Sequence, residues 1–220
     1  MLYQYPSTSH LPWSENITRE DKVLASTDHF EGQNVVVTIK MDGEVWNMYS
    51  DSCHPRSLDG QHHPSPKVRN SRDWVKRKWA SIKHDIPTGW RICGENLFAK
   101  HSIFYTQLES YFLAFSIWNK DNICLGWDET VEWLELLTFK PVPVIYRGAY
   151  DEKRIRALWN MDSMRGEEGY VVRIDKPFHY QEFGNNMAKF VRKDHIQTDQ
   201  HWIWGTLIPN QLANPLNAQI

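Results

Sequence analysis

Val35-Val36-Val37-Thr38-Ile39 is a β-branched apolar run. Such side chains pack well on a pleated surface, so the run predicts a buried strand from about Asn34 to Lys40. The strand ends in Lys40 and breaks at an Asp42-Gly43 turn. Beyond the turn, Val45, Asn47 and Tyr49 alternate with Trp46 and Met48. That alternation predicts an antiparallel return over Glu44–Ser50, a hairpin presenting Lys40 near its tip. Further strands are expected at Trp90–Cys93, Tyr111–Trp118, Ile123–Leu125, Val142–Tyr146, Glu168–Ile174 and Met187–Val191. Helical signals are fewer. A short helix or turn is expected near Arg19–Ser26. A helix over Ser71–Ile86 takes Ser71 as N-cap and Asp73 in its first turn, with Trp74, Val75, Trp79 and Ile82 on one side. Asp128 caps a helix through about Leu137, and Asp151–Trp159 reads as a basic helix. Strands outnumber helices without βαβ alternation, which predicts an α+β fold of mostly antiparallel sheets flanked by helices.

Residues 1–220 read as one domain, with 1–30 an arm or edge strand, 200–220 a tail, and no appended C-terminal domain. Net charge is −2, so no global basic field advertises nucleic acid and any polyanion site must be local. Eleven tryptophans and nine tyrosines serve a core or stack on bases. Cys53, Cys93 and Cys124 are far apart, which argues for a reducing compartment and against a disulfide scaffold or a cysteine zinc site. His54, His62 and His63 have no acidic or cysteine partner at ligand spacing and are not read as a metal site. No export signal and no apolar run of membrane-spanning length are seen, so a cytoplasmic location without a membrane partner is expected. The Asn16-Ile17-Thr18 sequon is taken as chance.

Lys40 does not belong inside by the logic that buries its strand. Either its stem packs while the head reaches water, or burial and nearby cations lower its pKa from about 10.4 and make the amine a nucleophile. The stretch with Lys67, Arg69, Arg72, Lys76, Arg77, Lys78 and Lys83 is nearly all one sign. It is a solvated face or a local phosphate-backbone patch. Four strand-end features stand in line: Lys40-x-Asp42-Gly43, Gly94-Glu95-Asn96, Glu168-Gly169 and Lys189. One lysine to attack, acids for a metal or a ribose, and a second lysine for phosphate are the parts of phosphoryl transfer.

With these residues the chain resembles the covalent nucleotidyltransferases, and within them the RNA ligase branch of bacteria and phages. The resemblance runs from about Val35 to His195. It is carried also by His54-Pro55-Arg56-Ser57, Arg72-Asp73-Trp74, Lys100-His101-Ser102-Ile103, Gly169-Tyr170-Val171-Val172-Arg173 and Phe190-Val191-Arg192. It implies a ligase adenylation-domain fold and an ATP-dependent RNA ligase that uses magnesium or manganese, the alternatives being a DNA-directed or capping-like nucleotidyltransferase or an inactive nucleotide- or RNA-binding module. The partner would be RNA with 5′-phosphate and 3′-hydroxyl ends. It implies that Lys40 attacks the α-phosphorus of ATP, that Arg56 contacts the nucleotide sugar and the RNA 5′-phosphate, and that Glu95 holds the ribose. Phe115 and Val171 would sandwich adenine, Glu168 would bind the metal, and Lys189 would contact the α-phosphate. Arg56, Lys67, Arg69, Arg72, Lys76, Arg77 and Lys78 would hold RNA. The glutamate usual before the nucleophile is Ile39 here, which leaves Thr38 and the backbone to recognise adenine. Val45 stands where an asparagine is common, with Asn47 two residues on. Val191 replaces a second lysine, for which Lys193 is the substitute. A monomer is expected, in the host cytoplasm if the chain is phage-encoded.

Overall fold

The structure is a computed structural model that describes residues 2–58, 65–193, 206–214 and 216. His62, His63, His195 and residues 200–205 of the tail lie outside the described residues. The strands in chain order are β1 (Ser9–His10), β2 (Asn34–Lys40), β3 (Glu44–Met48), β4 (Cys53–Pro55), β5 (Arg91–Asn96) and β6 (Phe112–Trp118). They continue with β7 (Ile123–Cys124), β8 (Lys140–Pro141), β9 (Val144–Ala149), β10 (Gly169–Ile174), β11 (Phe178–His179) and β12 (Met187–Val191). The α-helices are α1 (Pro66–Ser71), α2 (Asp73–Ile82), α3 (Trp127–Leu136), α4 (Glu152–Ala157) and α5 (Phe183–Asn186). The fold is α+β, as its alternation patterns predict.

Two sheets form the body. One has the order β1-β12-β10-β2-β9, and the other has β11-β7-β6-β5-β3-β4 with β8 beside β6. Pairing is antiparallel except for β1 with β12 and β6 with β8. The expected hairpin is not there. β2 pairs with β10 and β9 in the first sheet, whereas β3 pairs with β4 and β5 in the second. The Asp42-Gly43 turn therefore hands the chain from one sheet to the other. Gly43 is required by close approach: a Cβ there would lie 2.5 Å from the Asn96 carbonyl and 2.9 Å from Glu95 Cγ. At Gly169, a Cβ would run into the Phe190 backbone.

Register explains what the first sheet presents. Lys40 lies opposite Gly169, Thr38 opposite Val171, and Val171 opposite Lys189. Side chains alternate faces, so Thr38, Lys40, Val171 and Lys189 share one face. Val35, Val37, Tyr170, Val172 and Phe190 occupy the other and pack with Ile155, Leu158 and Met164. Burying each such aliphatic side chain contributes about 1.5–3 kcal/mol. The second sheet turns Trp46, Met48, Ile92 and Phe112 toward Trp74, Val75 and Ile82 of α2 and Leu134 of α3. Its opposite face, with Val45 and Glu95, looks toward Lys40.

Several local expectations shift. The Ser71–Ile86 helix is two helices joined at Arg72, so Ser71 ends α1 instead of capping α2. Gly126, not Asp128, is the N-cap of α3, and Asp128 pairs with Arg147. The strand expected at Val142–Tyr146 runs over Val144–Ala149. No helix forms at Arg19–Ser26; the nearest helical turn is a 3-10 turn at Asp28–Phe30. The N-terminal arm instead adds β1 as an edge strand on β12.

Candidate active site

Lys40 sits at the mouth of a narrow slot between the two sheets. Thr38, Ile39, Lys40, Met41, Val45, Glu95, Phe115, Val142, Val171, Arg173 and Met187 line it, with Tyr5 and Thr8 of the arm. The slot thus gathers Thr38, Lys40, Glu95, Phe115 and Val171 from four strands of two sheets. A wider cavity of about 610 Å³ lies nearby against Phe104, Tyr105, Val144 and Glu167. It shares Ile39, Met41 and Val142 with the slot but lacks Lys40 and Glu95, which line the slot alone. Lys189 lies on the same sheet face as Lys40, two strands away on β12.

Lys40 Nζ donates to Glu168 Oε1 at 2.5 Å, and its side chain is 25 % exposed. Burial is the largest influence on this amine and opposes its charge, yet Glu168, Glu95 and Asp42 together outweigh it. The pKa of Lys40 is therefore raised, which goes against the second of the two readings of its strand position, the lowered pKa. Acids, not cations, are its nearest neighbours. Glu95 is buried, and its pKa is pushed up to about 8, chiefly by desolvation, with Glu168, Asp42 and Glu44 adding to the rise and Lys40 opposing it. Asp42 is fixed from behind. Its Oδ2 accepts the backbone N–H groups of Ser102 and Ile103, both at 2.7 Å, and its own N–H donates to the Tyr105 hydroxyl at 3.0 Å.

This acid cluster bears on the metal implied by the resemblance. Among the described residues no group of three or more His, Cys, Asp or Glu forms a closed metal site. Magnesium keeps waters and binds through one or two carboxylates together with substrate phosphates, so Glu168 and its acidic surroundings suit it without a closed cage.

Phe115 is half-buried against the edge of Tyr5, with ring centroids 5.1 Å apart. Its carbonyl accepts from Arg173 Nη1 at 3.3 Å. Arg173 also donates to the Leu125 and Ile174 carbonyls, which holds a buried cation at the inner end of the slot. Ile39 turns its side chain away from Lys40 by strand alternation, and its N–H is committed to the Pro143 carbonyl at 2.9 Å. Arg56 is exposed, and its Nε donates to the Tyr5 carbonyl at 3.1 Å. Lys193 is exposed just past β12, its N–H on Glu15 Oε2 at 2.8 Å. Val191 is buried, while Arg192 Nε donates to the Glu167 carbonyl and its N–H to that of Glu168, which steadies the turn carrying Glu168. Asn47 is fully buried beside Cys93, deeper in the second sheet.

The basic stretch divides. Lys76 and Arg77 are exposed on α2, Arg69 is exposed and Lys67 is half-buried on α1. Arg72 departs from the RNA-facing expectation: it is buried and forms a two-pronged pair with Glu44, over the Trp46 ring. It sits at the junction of two helices and turns inward, where an arginine needs a carboxylate. Lys78 Nζ is given to the Thr138 hydroxyl at 3.2 Å and lies over the Phe139 ring.

Sequence reasoning missed several groups around Lys40. Asp42 was read only as a turn residue. Tyr5, Thr8, His10 and Asp21 come from the arm and carry no motif; Arg173 alone had a signal, as the residue two beyond Val171 on the same face.

Two apposed sheets with a lysine–acid cluster and an apolar slot between them define a nucleotidyltransferase fold of the ligase class. A family model of RNA ligase matches residues 33–191, and the chain belongs to the RNA ligase family. Similar solved structures include an archaeal ATP-dependent RNA ligase, with 14% identity and TM-score 0.53 over 87% of this chain and 48% of that one. A protein assigned as an ATP-dependent DNA ligase from Aquifex aeolicus has 17% identity and TM-score 0.55, over 87% and 50% of the two chains. A variant of the Naegleria gruberi RNA ligase solved with ATP and Mn has 16% identity and TM-score 0.52, over 90% and 64%. The chain spans about half the length of the archaeal and Aquifex proteins. No curated protein matches it significantly. Among the described residues no helix is long and apolar enough to cross a membrane.

Proposed function

We propose that this chain is an ATP-dependent RNA ligase that works through a lysyl-AMP intermediate. The observation that carries the reading is Lys40 held on Glu168 at the mouth of a slot that also contains Glu95, Phe115 and Val171. In the first step Lys40 Nζ attacks the α-phosphorus of ATP, forming a phosphoramidate as pyrophosphate leaves. In the second, an RNA 5′-phosphate oxygen attacks the same phosphorus and Lys40 is released. In the third, a 3′-hydroxyl attacks the activated RNA phosphate, AMP departs and the phosphodiester forms.

Each group has a physical task. Phe115 and Val171 offer apolar faces to adenine, with Thr38 at the same wall, while Glu95 accepts from a ribose hydroxyl. Lys189 and Arg56 offset phosphate charge. Glu168 would hold magnesium or manganese, which when bound would neutralise phosphate charge. While Glu168 and Glu95 face Lys40, its ammonium persists. A nucleophile needs the neutral amine, so Lys40 gives up this proton before it attacks. The exposed cations Lys76, Arg77 and Arg69, with Lys67, would meet RNA phosphates.

Incubation with labelled ATP and magnesium should leave one AMP on the protein, absent in Lys40→Ala. An intact mass that never gains AMP removes the reading. Sealing of nicked DNA but not of nicked or single-stranded RNA would move the substrate to DNA.

A further inference from the structure

We propose that Asp21, carried by the N-terminal arm, is a positioning residue for Lys189, holding its ammonium on the sheet face that also carries Lys40. The phosphate role of Lys189 rests on the function proposed above; the coupling of Asp21 to Lys189 does not.

The arm is tied to the strand it serves. His10 of β1 lies opposite Lys189, and the Leu11 N–H donates to the Lys189 carbonyl at 2.8 Å. The Ser14 hydroxyl accepts from the Val191 N–H at 2.9 Å and meets His10 Nδ1 at 2.7 Å. The arm then doubles back: the His10 N–H donates to the Lys22 carbonyl and the Leu24 N–H to that of His10. Asp21 arrives on this returning leg, and its two oxygens divide their work. Oδ2 accepts the N–H and hydroxyl of Thr18, at 2.9 and 2.8 Å. Oδ1 faces His10 Nε2 at 3.4 Å and Lys189 Nζ at 3.9 Å. The anchored oxygen fixes the other in place.

A separation of 3.9 Å is a charge contact and not a hydrogen bond. It attracts the ammonium and leaves it free to reach an anion. Lys189 needs that support. Its side chain is 19 % exposed, and burial is the largest influence lowering its pKa. Lys40 and Arg56 also face it and press the same way, Asp21 and Glu168 oppose them, and His10 lies alongside. Glu168 is hydrogen-bonded to Lys40. Asp21 is the carboxylate turned to Lys189 from the other side.

Asp21→Asn keeps an acceptor for Thr18 and removes the charge; Asp21→Ser gives the same readout if the amide disturbs the turn. In the resting protein, NMR titration of the Lys189 side chain should show its pKa about one unit lower, the size of shift a carboxylate at this range produces. The basic limb of kcat/KM for adenylylation should move to lower pH by the same amount, about a tenfold loss on that side. The profile of kcat should not move, because bound phosphates keep Lys189 protonated in the complex. Asp21→Glu should restore both. An unmoved Lys189 pKa in a folded variant overturns the inference, as does a uniform loss at every pH that Asp21→Glu does not repair. Absence of an AMP adduct on the unaltered protein would remove the ligase reading and leave the NMR result to decide on Asp21.

Discussion

Replacing Asn210 with alanine should weaken both the fold and the Lys40 site, although this residue touches neither Lys40 nor Asp42. Asn210 is 1 % exposed. Its Nδ2 donates to the Leu97 carbonyl at 2.8 Å and to that of Ala99 at 3.3 Å, and its Oδ1 accepts the Tyr105 N–H at 3.0 Å. It thereby ties down the segment from Leu97 to Tyr105, which supplies the Ser102 and Ile103 N–H groups and the Tyr105 hydroxyl to Asp42. Truncation leaves one donor and two acceptors unpaired. Each such group costs about 1–3 kcal/mol, and partial access of water brings the sum to about 2–5 kcal/mol. For a chain of this size that is a fall in Tm of roughly 5–15 °C. Asn210 keeps its backbone bonds to Phe98 and Tyr111 in the variant, so the loss isolates the amide. Differential scanning calorimetry measures the first effect and AMP-adduct formation below the melting range the second. An unchanged Tm would refute the accounting. A lowered Tm with full adduct formation would refute the link from Asn210 to Asp42.

Glu95→Gln should stabilise the resting protein while abolishing the proposed chemistry. The folded pKa of Glu95 stands near 8 against an ordinary value of 4.5, so the folded state keeps a proton that the unfolded chain releases across that window. Stability from this group is therefore lost as pH rises from about 4.5 to about 8. Melts at pH 5 and pH 9 should show the variant ahead by about 1–3 kcal/mol only at the higher pH; a constant gap would contradict the sign. Arg72→Ala should cost about 3–5 kcal/mol by leaving Glu44 half-buried without its partner, measured by urea denaturation; a neutral result would mean the pair is not formed. Lys76→Ala and Arg77→Ala should each change stability by less than about 0.5 kcal/mol. Each should also flatten the salt dependence of RNA binding by about one in log–log slope, and an unchanged slope in filter binding would take α2 out of the RNA path.

Much of the fold was legible along the chain. Met187–Val191 falls on its strand as read, and the β-branched run at Val35–Val37 is buried as its composition requires. Asp42-Gly43 breaks the strand after Lys40 where the turn residues stand. These are local properties, set by side-chain branching, backbone freedom and period, and a short window contains all of them.

Partnership was decided elsewhere. A local rule joins β2 and β3 as a hairpin, yet each pairs within a different sheet, and the turn became a crossing between them. Arg72 lies in a run of cations along the chain, but Glu44 and the Trp46 ring claim it in space. The charge state of Lys40 is set by Glu168, 128 residues away, and the setting of Asp42 by a loop fastened from Asn210. Local chemistry chose which residues can form a strand or carry a charge. Burial and Coulomb energy depend on what lies within a few ångströms, and only the folded chain sets those distances.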